Sequence, residues 1–209
     1  MMKVLITAGP TREAIDPARF ISNYSSGKMG YALANACAHS EFEVLLISGP
    51  TQLEVPINCD YIPVESAQEM YEAVEKHIHD VDVAIFSAAV ADYTYASPAA
   101  QKIKKYGDTL IIELEKTKDI LGSARVEFDF KGILIGFAAE TENLLDNARI
   151  KLEKKGCDLI VANDILRKDS GFNVDHNQAY LVTSTGHQEL PLLSKKALAL
   201  AIIQWVQAH

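Results

Sequence analysis

ITAGPTREAIDPARFISNYSSGKMG, residues 6–30, joins an apolar run, Val4-Leu5-Ile6, to an alanine-rich segment through a connection dense in Gly, Pro, Ser, Thr, Asn and Arg. A strand that empties through such a loop into a helix is a ready anion site, because the first backbone N–H groups of a helix have no partner within it. Loops of this length inside a compact domain are uncommon and usually functional. This one also carries Arg12, Arg19, Asn23, Ser25, Ser26 and Lys28, each a candidate anion ligand.

Outward from it, the pattern alternates. Residues 3–7 read as a buried strand, and 28–39 as a helix with Ser26 as its candidate cap. A second strand is expected over 44–48 and a short one near 58–64. Ser66 and Glu69 then form a capping box for a helix over 67–79. Residues 83–87 and 132–137 are apolar enough for central strands. Residues 94–107 lack periodicity and read as a mobile loop, 109–114 as a weak strand, and Thr117 as the cap of a short helix over 118–126. A helix over 141–155 stops at Gly156, and 159–162 is a sixth strand. Residues 179–183 and 188–190 flank a turn and read as a hairpin, and Ser194 caps a last helix to Val206.

Strands alternating with helices imply an α/β, Rossmann-like fold. Its mostly parallel sheet carries helices on both faces, and the hairpin adds an antiparallel edge. Ligands on such sheets bind beyond the carboxyl ends of the strands, which gathers residues 7–30, 87–93, 137–141 and 163–164 on one rim. The 209 residues fit one domain, 1–209, burying about 70–75% of its unfolded surface. A net charge of −8 argues against nucleic acid and membrane surfaces as partners. Three cysteines, Cys37, Cys59 and Cys157, share no C-x-x-C spacing, so neither a disulfide framework nor a zinc ribbon is expected, and Cys37 and Cys157 read as packed thiols. With no signal-peptide pattern and no apolar run near the roughly 20 residues that span a bilayer, the chain reads as cytoplasmic.

The opening loop matches neither common phosphate fingerprint. Gly27-Lys28 is followed by Met29 where a P-loop has Ser or Thr. Ser25 stands at the first glycine of G-x-G-x-x-G, with Gly27 and Gly30 at the others, and the second strand ends in Ser48 without an acidic residue for a ribose. A Rossmann-like NADPH-dependent reductase is thereby weakened but stays open, as does a non-catalytic nucleotide sensor.

The run ITAGPTREAIDPARFISNYSSGKMG, followed in order by SAAVADY, KIKK, GFAAET, LIVAND and GFN, resembles the phosphopantothenate–cysteine ligases (phosphopantothenoylcysteine synthetases) along essentially the whole chain. Within that resemblance the chain looks like a free-standing form of the ligase half of the bifunctional coenzyme A biosynthesis protein. The resemblance implies that CTP activates the carboxylate of 4′-phosphopantothenate as an acyl-cytidylate, and that the amine of L-cysteine then displaces CMP. It also implies Mg²⁺, homodimers that share their active sites, and a separate phosphopantothenoylcysteine decarboxylase as a further partner.

Residue by residue, the resemblance places Asn23 and Arg19 on phosphopantothenate, with Asn23 at the reacting carbonyl and Arg19 on an oxyanion. Ala88 and Ala89 lie against that substrate. Asp92 would contact the nucleotide or Mg²⁺, whose other ligands the sequence leaves unknown. Lys102, first of the cluster Lys102, Lys104 and Lys105, would carry the intermediate forward, although a lysine run on a loop is commonly just solvated surface. Asp119, Ile120 and Leu121, then Phe137, then Lys151 and Lys155, would line the nucleotide. Thr117-Lys118 departs from the Asn-Pro common in bacterial relatives. Phe137 fits a core strand as readily, and Lys151 and Lys155 share one helix face by spacing alone.

Overall fold

The computed structural model describes residues 1–104, 107–140, 142–164 and 176–209. Its centre is β1 (Lys3–Ala8), buried at every position but the first. The connection that follows is not open loop. β2 (Arg12–Asp16) and β3 (Arg19–Ser22) pair as an antiparallel ribbon. The turn between them is set by Pro17 and by the Asp16 carboxylate, which accepts from the Ala18 N–H at 2.8 Å. α1 (Lys28–Ala38) opens from Gly27, whose φ is 76°, with no side-chain cap, so the expected role of Ser26 is not met. The left-handed glycine turns the chain into the helix directly.

β4 (Glu43–Ser48) and β5 (Cys59–Pro63) follow. The capping box at Ser66 and Glu69 opens α2 (Ala67–His77), as expected, but the helix tightens into a 3₁₀ turn over Ile78–Asp80. After β6 (Val83–Phe86), the stretch read as a loop begins instead with β7 (Tyr93–Tyr95), which pairs with β8 (Leu114–Lys116). The weak strand therefore starts at Leu114 rather than 109. α3 (Ile120–Val126) is capped by Asp119, which accepts from the Gly122 N–H at 2.9 Å; Thr117 donates to the Ala91 carbonyl instead. β9 (Ile133–Glu140), α4 (Leu144–Lys155) and β10 (Leu159–Asp164) come next, α4 ending at Gly156 in the left-handed region. β11 (His176–Asn177), β12 (Ala179–Thr183), β13 (Gly186–Glu189), β14 (Leu193–Ser194) and α5 (Lys195–Gln207) complete the chain. Ser194 caps α5, as read from the sequence.

The main sheet runs β13-β12-β10-β9-β6-β1-β4-β5, with β5 to β10 parallel and β12 and β13 antiparallel. The chain builds outward from β1 to β5, then returns to the other side of β1 at β6, so the topological switch lies between β1 and β6. Alternation along the strands feeds two cores. Val4, Ile6, Ile85, Ile135 and Val161 pack under α1 and α5, whereas Leu5, Ile47, Ala84, Leu134 and Ile160 pack under α2, α3 and α4. Cys37 and Cys157 are buried, and burial pushes each thiol up to about 12. Among the described residues no helix is long and apolar enough to cross a membrane.

Candidate functional site

At the switch, the turn after β6 is fastened to the turn after β1. Ser87 Oγ donates to the Thr7 carbonyl at 2.7 Å, the Ala89 N–H to the Gly9 carbonyl at 2.9 Å, and the Ala91 N–H to the buried Thr11 hydroxyl at 2.9 Å. Asn23 reaches across from the end of β3, its side-chain amide donating to the Ala89 and Val90 carbonyls at 3.1 and 3.0 Å. Both Asn23 donors thus hold the turn. For Asn23 to bond a substrate carbonyl, one of these donors must be exchanged, which its exposed position allows.

Beneath this turn opens a cleft of about 1100 Å³. It brings together Asn23, Ala88, Ala89, Asp92, Asp119, Ile120, Leu121, Phe137, Lys151 and Lys155. On the α3/α4 side, Lys155 pairs with Asp119, and Lys151 Nζ donates to the Phe137 carbonyl at 2.6 Å. Burial pushes the Asp119 carboxyl up, but the Lys155 ammonium and the Gly122 N–H outweigh it and leave the group below its ordinary value. Phe137 is half-buried, with one edge in the core and one in the cleft.

The lining also holds residues that sequence reasoning did not assign: Lys116, Lys118, Asn163, Asn177 and Lys195. The rim rule pointed at Asn163. Nothing in the linear pattern pointed at Lys195, which arrives through the pairing of β11 with β14. Six lysines (28, 116, 118, 151, 155 and 195) and two aspartates (92 and 119) therefore face one cavity in a chain of net charge −8. Such a concentration of positive charge selects anions.

Arg19 and Lys102 are elsewhere. Arg19 Nε donates to the Asp16 carboxylate at 3.0 Å and its Nη2 to the Ile103 carbonyl at 2.9 Å, while the Ile103 N–H returns to Asp16 at 3.0 Å. This bridge pins the segment carrying the exposed Lys102 and Lys104 to the ribbon. Arg19 lines a second cleft of about 870 Å³ against α2, where the buried Glu13 accepts from the Ala67 N–H. Within one chain, then, Arg19 and Asn23 do not face a common ligand. Lys105, Thr141 and the Gly171-Phe172-Asn173 motif lie outside the described residues.

The Arg19 guanidinium, helped by the Ile103 and Ala18 N–H groups, holds the Asp16 carboxyl well below the usual carboxylate range. A depressed pKa contributes stability above the unfolded value, near 3.9 for Asp, and loses it as pH falls toward the folded value. Asp16→Asn is therefore expected to be less stable than the parent at pH 7. The gap should narrow as pH drops below about 4 in urea titrations. A gap of constant size would show that the charge is not its source.

A family model for the DNA/pantothenate metabolism flavoprotein C-terminal domain matches residues 1–209. The chain belongs to that family. The coenzyme A biosynthesis bifunctional protein CoaBC of Vibrio vulnificus (strain CMCP6) is 48% identical over 206 residues, covering 98% of this chain and 51% of that protein. This chain thus spans about half the length of the curated relatives it matches. The crystal structure of the C-terminal domain of a CoaBC protein is 44% identical, with a TM-score of 0.84 over 99% of this chain and 94% of that one. A Cab2 mutant in complex with phosphopantothenate-cysteine shares the fold, with a TM-score of 0.80 over 99% of this chain and 85% of that one at 16% identity.

Proposed function

We propose that residues 1–209 form one phosphopantothenate–cysteine ligase domain acting in coenzyme A biosynthesis, with CTP as co-substrate. The observation that carries this reading is the lysine-lined cleft at the switch point, with an acyl-sized turn at one end and an aromatic edge with two lysines at the other. The half-length match to CoaBC proteins supports it. In the first step a carboxylate oxygen of 4′-phosphopantothenate attacks the α-phosphorus of CTP. A P–O bond forms, the bond to the β-phosphate breaks, and pyrophosphate leaves. The cysteine nitrogen then attacks the activated carbonyl, a C–N bond forms, the C–O bond to CMP breaks, and the amine gives up a proton.

Each part of the cleft has a task in this scheme. Ala88 and Ala89 leave room beside the turn for the pantothenate chain, and Asn23 orients its carboxyl. Phe137 lies along the base while Lys151 and Lys155 take phosphate oxygens, exchanging the Phe137 carbonyl and Asp119 for them. Ile120 and Leu121 bring the start of α3 against the nucleotide. Among the described residues no cluster of three or more acidic, His or Cys side chains forms a metal cage. Mg²⁺ would be held chiefly by nucleotide phosphates, with Asp92 as the protein carboxylate. When bound, Mg²⁺ would neutralise phosphate charge.

Arg19 and Lys102 serve the cleft of a second copy of this chain. The β2–β3 and β7–β8 ribbons, linked where the Ala99 N–H meets the Ile15 carbonyl, expose Phe20, Tyr93, Leu110, Ile111 and Leu114, an apolar surface suited to a homodimer. The enzyme is cytoplasmic, and a phosphopantothenoylcysteine decarboxylase activity consumes its product. In the purified protein, CMP and pyrophosphate are expected from CTP only when 4′-phosphopantothenate is present, and amide only after L-cysteine is added. NADPH oxidation without CTP turnover would overturn the reading in favour of a reductase.

A further inference from the structure

We infer that Thr117 is a positioning residue that ties the two ends of this cleft together, an assignment that rests on the ligase reading. Its hydroxyl donates to the Ala91 carbonyl at 2.6 Å, and its N–H donates to the Asp92 carbonyl at 3.0 Å. One residue thus holds two consecutive carbonyls of the turn after β6. The Ala91 N–H is held in addition by the hydroxyl of Thr11, which is wholly buried. Ala91 is buried as well, whereas Asp92, next to it, is exposed and lines the cleft. The two threonines therefore fix the stretch of backbone that carries the Asp92 carboxylate.

The other end of the tie is the nucleotide side. Thr117 stands two residues before Asp119, which caps α3 and pairs with Lys155 of α4. A two-residue link spans at most about 7 Å, so it passes on a displacement rather than absorbing it. Because Asp119 supplies the cap, the Thr117 hydroxyl is free to hold Ala91 instead. Thr117 also lines both clefts, so its bonds form the seam where the β7–β8 ribbon meets the switch point. The first step needs the attacking carboxylate oxygen within about 3–3.5 Å of the α-phosphorus and aligned with it. The turn at Ala88 and Ala89 locates the carboxylate, the start of α3 locates the nucleotide, and Thr117 sets the spacing between them.

Thr117→Val keeps the side-chain shape and removes the hydroxyl donor, while Thr117→Ser keeps the donor and removes the methyl group. Single-turnover pyrophosphate release from CTP and 4′-phosphopantothenate, followed without cysteine, gives a rate constant at saturation and a half-saturating concentration for each substrate. Thr117→Val is expected to lose about tenfold in the rate constant, with both half-saturating concentrations within about threefold of wild type. Thr117→Ser should keep the rate constant within about twofold. A wild-type rate constant in Thr117→Val would overturn the inference. So would a loss confined to half-saturation, or equal losses in the two variants, which would trace the effect to the methyl group. Hydrogen exchange reads the tie without turnover: the amides at positions 91 and 117 should exchange faster in Thr117→Val than in wild type or Thr117→Ser. Unchanged exchange would overturn the tie itself. A wild type that releases no pyrophosphate would overturn the ligase reading, whatever the exchange shows.

Discussion

Asn23→Asp and Lys102→Gln proteins, each expected to lose about a hundredfold or more in amide formation, should together recover about a quarter of wild-type activity once their subunits exchange. Asn23→Asp replaces the two amide donors with a carboxylate facing the Ala89 and Val90 carbonyls and a carboxylate substrate. Lys102→Gln removes a cation from the segment held by Asp16 and Arg19, which does not line the cleft of its own chain. If a site takes Asn23 from one copy and Lys102 from the other, a mixed dimer has one cleft with both residues intact and one with neither. Random pairing makes half the dimers mixed, hence about one intact site in four. If both residues served the same chain, every cleft in the mixture would lack one of them. Absence of recovery in dimers shown by native mass spectrometry to be mixed would therefore place the whole site in one chain. A monomeric wild type in sedimentation would refute the shared site outright.

The parts of the molecule legible in the sequence are those with local causes. The apolar strands, the Ser66–Glu69 capping box, the Gly156 stop and the Ser194 cap each depend on a few neighbouring residues, and each stands where the pattern put it. The β2–β3 ribbon escaped because its turn is an Asp-Pro-Ala-Arg unit inside a polar stretch, and its buried side is polar: Glu13 and Asp16 beside Ile15. Hydrophobic alternation could not reveal it. The same holds for β7 and β8, three residues each and paired across eighteen intervening positions. In the site, the resemblance assembled residues that the cleft brings together. Lys195 stayed hidden because its position depends on a two-residue pairing far from every motif. The separation of Arg19 from Asn23, only four positions apart, is also a product of the ribbon: they stand at its two ends and so line different clefts.

Gly30→Ala is expected to destabilise the protein by about 2–3 kcal/mol, lowering the melting temperature by about 5–10 °C for a chain of this size. A methyl group at Gly30 would overlap Ala8 Cβ and lie 2.7 Å from Ser87 Oγ and 3.1 Å from Ala8 Cα. The serine hydroxyl can rotate away, but the Ala8 atoms are fixed by the central strand. The intrinsic helix preference of Ala over Gly, about 1 kcal/mol, opposes the clash without cancelling it. To make room, α1 must lift from β1, and the helix start at Gly27 and Lys28 must move with it. Activity should therefore fall further than stability does, since the displaced segment lines the cleft. The clash with Ala8 Cβ has a specific signature: adding Ala8→Gly removes the closest atom and should restore about 1–2 kcal/mol, even though Ala8→Gly alone destabilises a strand. Additive losses in this double-mutant cycle would mean that α1 does not depend on the close approach at Gly30. The opening loop would then be positioned by the left-handed turn at Gly27 alone.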